Sequence, residues 1–415
     1  MAIQMNNACI QDIVFRAVAE VRGTDMHTHL YAPQFGPLLL RGIDELLTYH
    51  YLVAEALRWL DTPYETFWQL PKTEQADLVW KTLFIERSPI SESCRGVLTV
   101  LDRFGLDVSS RNLNEYRRFF GTMGVDEHID RVLELAGLES LVMTNDPFDD
   151  IEREVWESHC KHDPRFHAAL RLDMLLNSWE SACVELRKQG YDVSEDLTER
   201  TVDEVRRFLR TYIKRIDPLY LAISLPPDFE YPEESSRGHL LDKCIFPIVE
   251  EYGLPIACMI GVRRLCNPEL RQAGDSMGKG SIETVERLCV NHPTIRFMIT
   301  MLSRENQHEL SVAARKFRNL MIFGCWWFLN NPSLIEETTR MRLELLGESV
   351  IPQHSDSRVL DQLVYKWAHS KKIIADVLAE KYTDLAAAGW EASEAEIRQD
   401  VDHLFRKNFW KFIGR

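Results

Sequence analysis

Short apolar runs alternate along the chain with longer segments in which apolar residues recur every three or four positions. The short runs are typical of buried parallel strands, and the longer segments are typical of amphipathic helices. Eight such runs occur, at residues 24–30, 141–145, 168–172, 220–225, 255–261, 296–302, 321–325 and 350–356. This alternation predicts an α/β fold, specifically a (β/α)8 TIM-type barrel, with an open doubly wound sheet as the alternative.

One connection is too long for a single barrel helix. Residues 31–135 separate the first two runs and carry leucine, tryptophan and phenylalanine at helical spacing. So much apolar material must be packed, and a connection that follows a barrel strand lies at the end where barrel active sites form. We therefore predict a barrel made of residues 1–30 and 136–415, and a helical insertion, 31–135, that covers the barrel mouth.

The carboxyl-terminal part of the chain, residues 360–415, also has helical periodicity, and we expect a helical block there. Within it, Ser393 and Glu396 have the spacing of a helix capping box. The sequence therefore predicts that a helix begins near Ser393.

Composition and charge restrict the partners. The chain has 45% hydrophobic and 27% charged residues, as ordinary globular proteins do. Its formal net charge is −15, without a basic patch, so we expect no nucleic-acid partner. No stretch approaches the roughly 18 apolar residues of a membrane helix, so we expect no membrane partner. The predicted ligand is a small soluble molecule, and we expect a homo-oligomer.

Cysteine usage and motif content restrict the compartment and the cofactor. The nine cysteines are odd in number and include no Cys-x-x-Cys pair, which favours a reducing compartment and predicts a cytoplasmic protein. No glycine-rich phosphate loop, nucleophile elbow or dinucleotide fingerprint occurs. We therefore expect no organic cofactor.

Two histidines and an aspartate form a candidate metal site. His27 and His29 end the first run, and the alternation of a strand puts them on one side. His354 and Asp356 end the eighth run in the same relation. In a closed barrel the first and eighth strands are neighbours, so His27, His29 and Asp356 could share zinc, manganese or iron(II). The alternatives are a structural His-x-His pair and an Asp356 that caps the following helix.

Three further positions could contact a substrate. Arg171 and Arg358 follow strand ends, where each could bind a carboxylate or pair with the barrel rim. Trp326, next to a second tryptophan, could line a sugar pocket or simply pack.

In the insertion, His50 and Tyr51 could act as general acid or base, or form a buried structural pair.

Taken together, these residues resemble the uronate isomerase family of the amidohydrolase superfamily. The matching motifs follow the family's order over nearly the whole chain. They are His27-x-His29, His50-Tyr51, Thr144-Asn145-Asp146-Pro147, Arg171-Leu172-Asp173, Gly253-Leu254-Pro255 running into Ile260-Gly261, Arg304-Glu305-Asn306, Phe323-Gly324-Cys325-Trp326-Trp327-Phe328 and Asp356-Ser357-Arg358.

The resemblance implies aldose–ketose isomerisation of a hexuronate such as glucuronate or galacturonate, on a barrel that binds one divalent metal ion. Zinc is the first choice for this ion, and manganese and iron are the alternatives. The implied roles fall into three groups. They are His27, His29 and Asp356 as metal ligands, Tyr51, His50 and Asp356 as catalytic residues, and Arg171, Arg358, Trp326 and His354 as substrate-binding residues.

The chain departs from the family pattern on its fifth and eighth strands. Met259 stands where family members carry a histidine, and His354 is an additional histidine two residues before Asp356. We expect His354 to supply part of the function lost at Met259. These departures leave two alternatives open: a metal-dependent hydrolase of an acidic sugar derivative, and a sugar-acid binding relative without turnover.

Overall fold

The computed structural model describes residues 7–158 and 161–415. Nine strands occur in this part of the chain. They are β1 (Gly23–Thr28), β2 (Leu138–Asn145), β3 (Phe166–Arg171), β4 (Leu221–Leu225), β5 (Ile256–Ile260), β6 (Val262–Arg263), β7 (Ser276–Met277), β8 (Phe297–Met301) and β9 (Leu320–Ile322). Seven form one curled parallel sheet in the order β1-β2-β3-β4-β5-β8-β9, and β6 and β7 form a separate antiparallel hairpin.

Helices make up most of the remaining described chain. The α-helices are α1 (Asn7–Glu20), α2 (Ile43–Leu47), α3 (His50–Leu57), α4 (Tyr64–Gln69), α5 (Lys72–Trp80), α6 (Glu92–Arg103), α7 (Leu113–Thr122), α8 (Val125–Ala136), α9 (Asp150–Glu157), α10 (Asp173–Asn177), α11 (Trp179–Lys188), α12 (Glu199–Ile216), α13 (Ser236–Leu240), α14 (Phe246–Tyr252), α15 (Ile282–Asn291), α16 (Gln307–Ala314), α17 (Pro332–Leu346), α18 (Gln362–Ala387), α19 (Glu394–Asp402) and α20 (Asn408–Ile413). Short 3-10 helices cover Pro33–Leu38, Val108–Ser110, Pro268–Gly274, Arg304–Asn306 and Trp327–Leu329, and π-helical turns cover Lys81–Ile85, Leu241–Ile245 and His403–Lys407.

The sheet is buried on both faces. Every residue of β5 and β8 is buried, and the two strands pair in register from Ile256 opposite Phe297 to Ile260 opposite Met301. Such continuous apolar runs are typical of parallel strands covered by helices. Because the strands are parallel, the residues that follow them meet at one edge of the sheet.

The predicted α/β fold is confirmed, with a curled parallel sheet of seven strands, but the predicted eight-stranded barrel is not closed, because the eighth predicted strand does not form. The eighth segment (residues 350–357) forms only one bridge, between Ile351 and Phe323, and the sheet has no continuous eighth strand to close it. The segment still reaches both sheet edges, because Ile351 N donates to Ile322 O at 3.0 Å and Asp356 N donates to His27 O at 3.1 Å.

Two features prevent a regular ladder in the eighth segment. Pro352 has no N–H to donate. The Ser355 amide is bonded to side chains instead of a strand, since its N–H donates to Asp25 Oδ1 at 3.1 Å and its carbonyl accepts from Lys366 Nζ at 2.7 Å. The alternation in the sequence does not reveal these side-chain partners.

Helices α2 to α8 lie between β1 and β2, in the range predicted to be a helical insertion. The predicted helical carboxyl-terminal block is also present, with α18 to α20. Ser393 and Glu396 form the expected capping box at the start of α19. Among the described residues, no helix combines the length and the apolar character needed to cross a membrane.

Candidate active site

Three candidate ligands converge where the first strand meets the eighth segment. The ligand atoms of His27, His29 and Asp356 all lie within 4.8 Å of one another. His29 Nε2 is 3.3 Å and His27 Nε2 is 3.6 Å from Asp356 Oδ1. The first strand and the residues after it supply the imidazoles, and the eighth segment supplies the carboxylate. Asp356 does not cap a helix, because α18 begins at Gln362.

A hydroxyl group behind each imidazole fixes its tautomer. Thr144 Oγ1 donates to Thr28 O at 2.9 Å, so it accepts the N–H of His29 Nδ1, also at 2.9 Å. Tyr220 OH donates to the Met26 carbonyl, so it accepts from His27 Nδ1 at 3.4 Å. Both Nε2 atoms therefore direct lone pairs toward Asp356, which is the arrangement that metal-binding histidines adopt.

The Nε2 atoms of the two histidines and Asp356 Oδ1 are all electron-pair donors, so they are better suited to bind a cation than to bond with one another. His27 Nε2 and Asp356 Oδ1 are buried and make no hydrogen bond. Two lone pairs on nitrogen and a carboxylate oxygen, with no proton between them, form a donor set for a divalent metal ion. A buried polar atom without a partner is costly, and a bound cation would remove that cost.

Charge states agree with this donor set. Burial lowers the pKa of His27 to about 4, although the Asp356 carboxylate acts to raise it. Burial likewise holds the pKa of His29 well below its usual value. Burial alone would raise the pKa of Asp356, but neighbouring groups, among them the positive charge of Lys366, lower it. Two neutral imidazoles and a carboxylate result at pH 7.

The backbone around the three ligands is unusual at two positions. Asp356 has a φ of +52°, which side-chain-bearing residues rarely adopt. Gly324 has a φ of +60°, and a Cβ there would lie 1.8 Å from His354 Nδ1. A glycine is therefore required at position 324 to make room for the His354 imidazole.

His354 lies beside the three ligands but is not one of the cluster. Its ring packs edge-on against His27, with 5.5 Å between centroids, and both ring nitrogens are buried without a hydrogen bond. Burial holds the pKa of His354 well below its usual value. Met259, on β5, is buried in an apolar cluster with Phe323 and Trp326. Compensation for Met259 by His354 stays a prediction.

A cavity of about 650 Å³ is lined by four arginines, Arg171, Arg237, Arg264 and Arg358, of which Arg358 follows Asp356 by two residues. Three of these guanidinium groups have carboxylate partners; Arg171, for example, donates from Nε and Nη2 to Asp173 Oδ2 at 2.9 and 2.6 Å. The Arg358 guanidinium has no hydrogen bond or ion pair to any described residue. Arg358 is therefore the cation of this cavity that is available to an anion.

The insertion brings aromatic side chains to the same region. His50 and Tyr51 begin α3, and the His50 ring lies 5.6 Å from that of Trp327. His50 Nε2 and the Tyr51 hydroxyl are buried without hydrogen-bond partners. Burial raises the pKa of Tyr51 well above its usual value, so the phenol keeps its proton. Trp326 is 3% exposed and packs in the apolar cluster, outside the cavity lining.

Four residues at the site received no role from the sequence: Asp25, Thr144, Tyr220 and Lys366. Asp25 is fully buried and accepts from Ser355 N at 3.1 Å and from Trp367 Nε1 at 2.8 Å. A charged residue two positions before the first histidine of a buried strand is the one signal that could have drawn attention to Asp25.

A second group of potential ligands lies at the surface among the described residues. Glu348, Asp400 and His403 bring their ligand atoms within 4.8 Å of one another. His403 Nδ1 is 3.1 Å from Glu348 Oε2, and Tyr382 OH donates to Asp400 Oδ2 at 2.6 Å. His403 and Glu348 therefore pair with each other and Asp400 pairs with Tyr382, whereas His27 Nε2 and Asp356 Oδ1 of the buried cluster have no hydrogen-bond partner.

Comparison with known proteins places the chain among isomerases. No protein-family model matches it, and no curated protein sequence matches it. It is similar to the crystal structure of a uronate isomerase from Bacillus halodurans C-125, with 55% identity and a TM-score of 0.97, covering 99% of this chain and 97% of that one.

More distant structures share the fold. A uronate isomerase from Thermotoga maritima has 15% identity and a TM-score of 0.78, with 97% of each chain covered. A glucuronate isomerase from Caulobacter crescentus has 13% identity and a TM-score of 0.79, covering 98% of this chain and 94% of that one. On the identity and coverage of the Bacillus halodurans relative, the chain belongs to the uronate isomerase family.

Proposed function

We propose that the protein isomerises a hexuronate, such as glucuronate or galacturonate, between its aldose and ketose forms. The observation that carries the proposal is the juxtaposition of two neutral imidazoles and Asp356 with a cavity that contains the unpaired Arg358 guanidinium. Membership of the uronate isomerase family supports the same reaction.

We infer that His27, His29 and Asp356 would hold one divalent metal ion, with zinc as the first choice and manganese or iron as the alternatives. When bound, such an ion orients and polarises substrate oxygens. The Nε2 lone pairs of both histidines and the unpartnered Asp356 Oδ1 support this assignment. The proposal requires no organic cofactor.

Arg358 and Arg171 are the proposed partners of the substrate carboxylate. An arginine offers two parallel N–H donors that match a carboxylate. Arg358 has no competing ion pair among the described residues, whereas Arg171 already holds Asp173. We therefore assign the main carboxylate contact to Arg358 and an orienting contact to Arg171. Trp326 and His354 remain proposed substrate-binding residues, although neither lines the cavity.

The proton transfers are assigned to His50 and Tyr51 of the insertion and to Asp356 of the eighth segment. Isomerisation moves a proton from C2 to C1 and a hydroxyl proton from O2 to O1, and it needs a positioned acid and base. Tyr51 keeps its phenolic proton, so it can take the proton from C2 only as its own proton passes to a base. His50 lies next to it and is neutral, because burial lowers its pKa to about 3, so it can accept that proton and return it through Tyr51 to C1. Asp356 is ionised and suits the transfer of a hydroxyl proton during ring opening.

Three further expectations belong to this proposal. We infer that the eighth segment occupies the place of an eighth barrel strand, because it bonds to both sheet edges. A cytoplasmic location is supported by the eight described cysteines, which are all unpaired. A homo-oligomer is also proposed, with a small acidic sugar as the partner of the site.

A panel of hexuronates tests the proposed function. The purified protein, supplied with zinc, is incubated separately with glucuronate, galacturonate and the neutral sugar glucose, and ketose formation is followed. The expected result is turnover of at least one hexuronate and none of glucose, because glucose has no carboxylate that could bind the Arg358 guanidinium. Absence of turnover with every hexuronate, while each still raises the thermal midpoint, would indicate a binding protein and contradict the proposal.

A further inference from the structure

Lys366 is a buried lysine at the carboxyl-end edge of the sheet to which no role has been assigned. It lies in the second turn of α18 and is 3% exposed. A buried ammonium group is costly unless it is well bonded. Burial lowers the pKa of Lys366 to about 8, against the charges of Asp356 and Asp25 that raise it, so the side chain is mainly charged at pH 7.

The Lys366 ammonium contacts the site from two directions. It donates to the Ser355 carbonyl at 2.7 Å, one residue before the ligand Asp356. It also lies 5.9 Å from the ring centroid of Tyr49 and 5.8 Å from that of Tyr51, within the range of a cation–π contact. One cation thus joins the segment that carries the metal carboxylate to the proposed proton-transfer tyrosine.

The bond to Ser355 completes a clamp on an irregular piece of backbone. Asp25 holds the Ser355 N–H at 3.1 Å, and Lys366 holds the carbonyl of the same residue. Asp25 also accepts from Trp367, the neighbour of Lys366 on α18. Immediately after the clamp, Asp356 adopts its φ of +52°. A strained conformation of this kind persists only where the surroundings impose it.

We propose that Lys366 is a positioning residue: it fixes the Ser355 carbonyl, and through it the Asp356 carboxylate, while holding the Tyr51 ring in place. For Tyr51 this rests on the proposed isomerase function; for Asp356 it rests only on the metal site. Lys366 acts through these two residues, so its loss affects metal affinity and turnover more than it affects folding.

The same helix provides a matched control. Lys371 is also buried, donates to the Val21 carbonyl at 2.9 Å and the Gly137 carbonyl at 3.2 Å, and faces the rings of Trp367 and Phe405. Its backbone partners precede β1 and β2, at the opposite end of the sheet. Lys371 therefore has the burial and the bonding of Lys366 without contact with the site.

The test compares wild type, Lys366→Met, Lys366→Arg and Lys371→Met. Zinc affinity is measured by competition with a chromogenic chelator, and kcat and KM for a hexuronate are measured at saturating zinc. Lys366→Met is expected to lose at least about tenfold in zinc affinity, as other changes behind metal ligands do. Its kcat is expected to fall up to about a hundredfold with KM little changed, since Tyr51 is displaced. Lys366→Arg keeps a donor for Ser355 and recovers part of both.

Lys371→Met is expected to lower the thermal midpoint but to keep the wild-type zinc affinity and kcat. Equal zinc affinities for Lys366→Met and Lys371→Met would overturn the proposal. If Lys366→Met does not fold, Lys366→Gln takes its place, and its zinc affinity and kcat are again expected to be lower than those of Lys371→Met. Should the wild type isomerise no hexuronate, the proposed function fails, and the chelator competition still decides the role of Lys366.

Discussion

At the residue scale, the site depends on which ring nitrogen of each histidine carries the proton and on the absence of a methyl group at Gly324. The hydroxyl groups of Thr144 and Tyr220 hold the Nδ1 protons of the two histidines, which leaves both Nε2 lone pairs facing Asp356. Gly324 leaves room for His354 by having no side chain. Each of these details is set by one atom, so conservative substitutions are informative.

Removal of the Tyr51 hydroxyl tests the proposed proton transfer. Tyr51→Phe is expected to lower kcat by about a hundredfold to ten-thousandfold, the usual contribution of a positioned acid or base. Because the hydroxyl has no hydrogen-bond partner, the fold should be as stable as that of the wild type. The measurement is loss of deuterium from C2-labelled hexuronate. An unchanged rate of loss would exclude Tyr51 as the transferring group.

Gly324 and Gly347 form a matched pair for the crowding of His354. Their φ values are +60° and +61°, but a Cβ at Gly347 meets open space. Gly347 combines its φ with a ψ of −134°, a conformation that side-chain-bearing residues avoid, so Gly347→Ala should cost about 1–3 kcal/mol from backbone strain alone. Gly324→Ala should cost about 1–3 kcal/mol more, because the added methyl group overlaps His354. Urea unfolding measures both, and equal costs would show that His354 does not need this glycine.

At the element scale, the sequence predicted the strands well where burial alone determines them. The first seven runs overlap β1 to β5, β8 and β9, since a strand covered on both faces has a continuous apolar sequence. The eighth run has the same alternation, but its Ser355 amide is bonded to side chains and not to a neighbouring strand. Lys366, at a position of α18 that the sequence cannot distinguish from an exposed one, provides a partner from a remote element. Tertiary packing of this kind leaves no local pattern.

The candidate ligands could be predicted for a topological reason. When a parallel sheet curls, its first and last segments become neighbours. The positions of His27, His29 and Asp356 at the ends of the first and eighth runs were therefore enough to predict that they lie close together. Asp25 and Thr144 were missed because their role depends on which neighbour faces them across the sheet.

Glu152 joins three elements through one buried carboxylate. This α9 residue accepts from Tyr31 OH at 2.8 Å, Asn145 Nδ2 at 2.9 Å and Asp146 N at 3.1 Å. Burial raises its pKa to about 7, although the three donors lower it. Because the folded pKa exceeds the unfolded one, the native state binds the proton more tightly. Glu152 therefore destabilises the fold progressively as the pH rises from about 4.5 to 7.

Glu152→Gln removes this titration. The free energy of unfolding of the wild type, relative to that of Glu152→Gln, is expected to fall by about 3 kcal/mol between pH 4.5 and pH 8. Urea unfolding of both proteins at the two pH values measures the difference, and other titrating groups cancel in the comparison. A difference independent of pH would show that Glu152 has an ordinary pKa.

At the scale of the whole molecule, the sheet and the insertion together create the site. The end of β1 supplies the two histidines of the candidate metal site, and the end of β3 supplies Arg171. The eighth segment supplies Asp356 and bonds to both sheet edges, and α3 brings His50 and Tyr51 to the same region. No single element contains enough of the site to bind a metal ion and a sugar acid. The central claim is that this assembly holds one catalytic cation.

The most direct test is the metal content of the purified protein and its variants, measured by elemental analysis in parallel with hexuronate turnover. The wild type is expected to hold one divalent ion per chain, and His27→Ala with His29→Ala should lose both the ion and turnover. Glu348→Ala with His403→Ala, which removes the surface group, should keep both. Retention of the ion by the first double variant, or its loss from the second, would contradict the account.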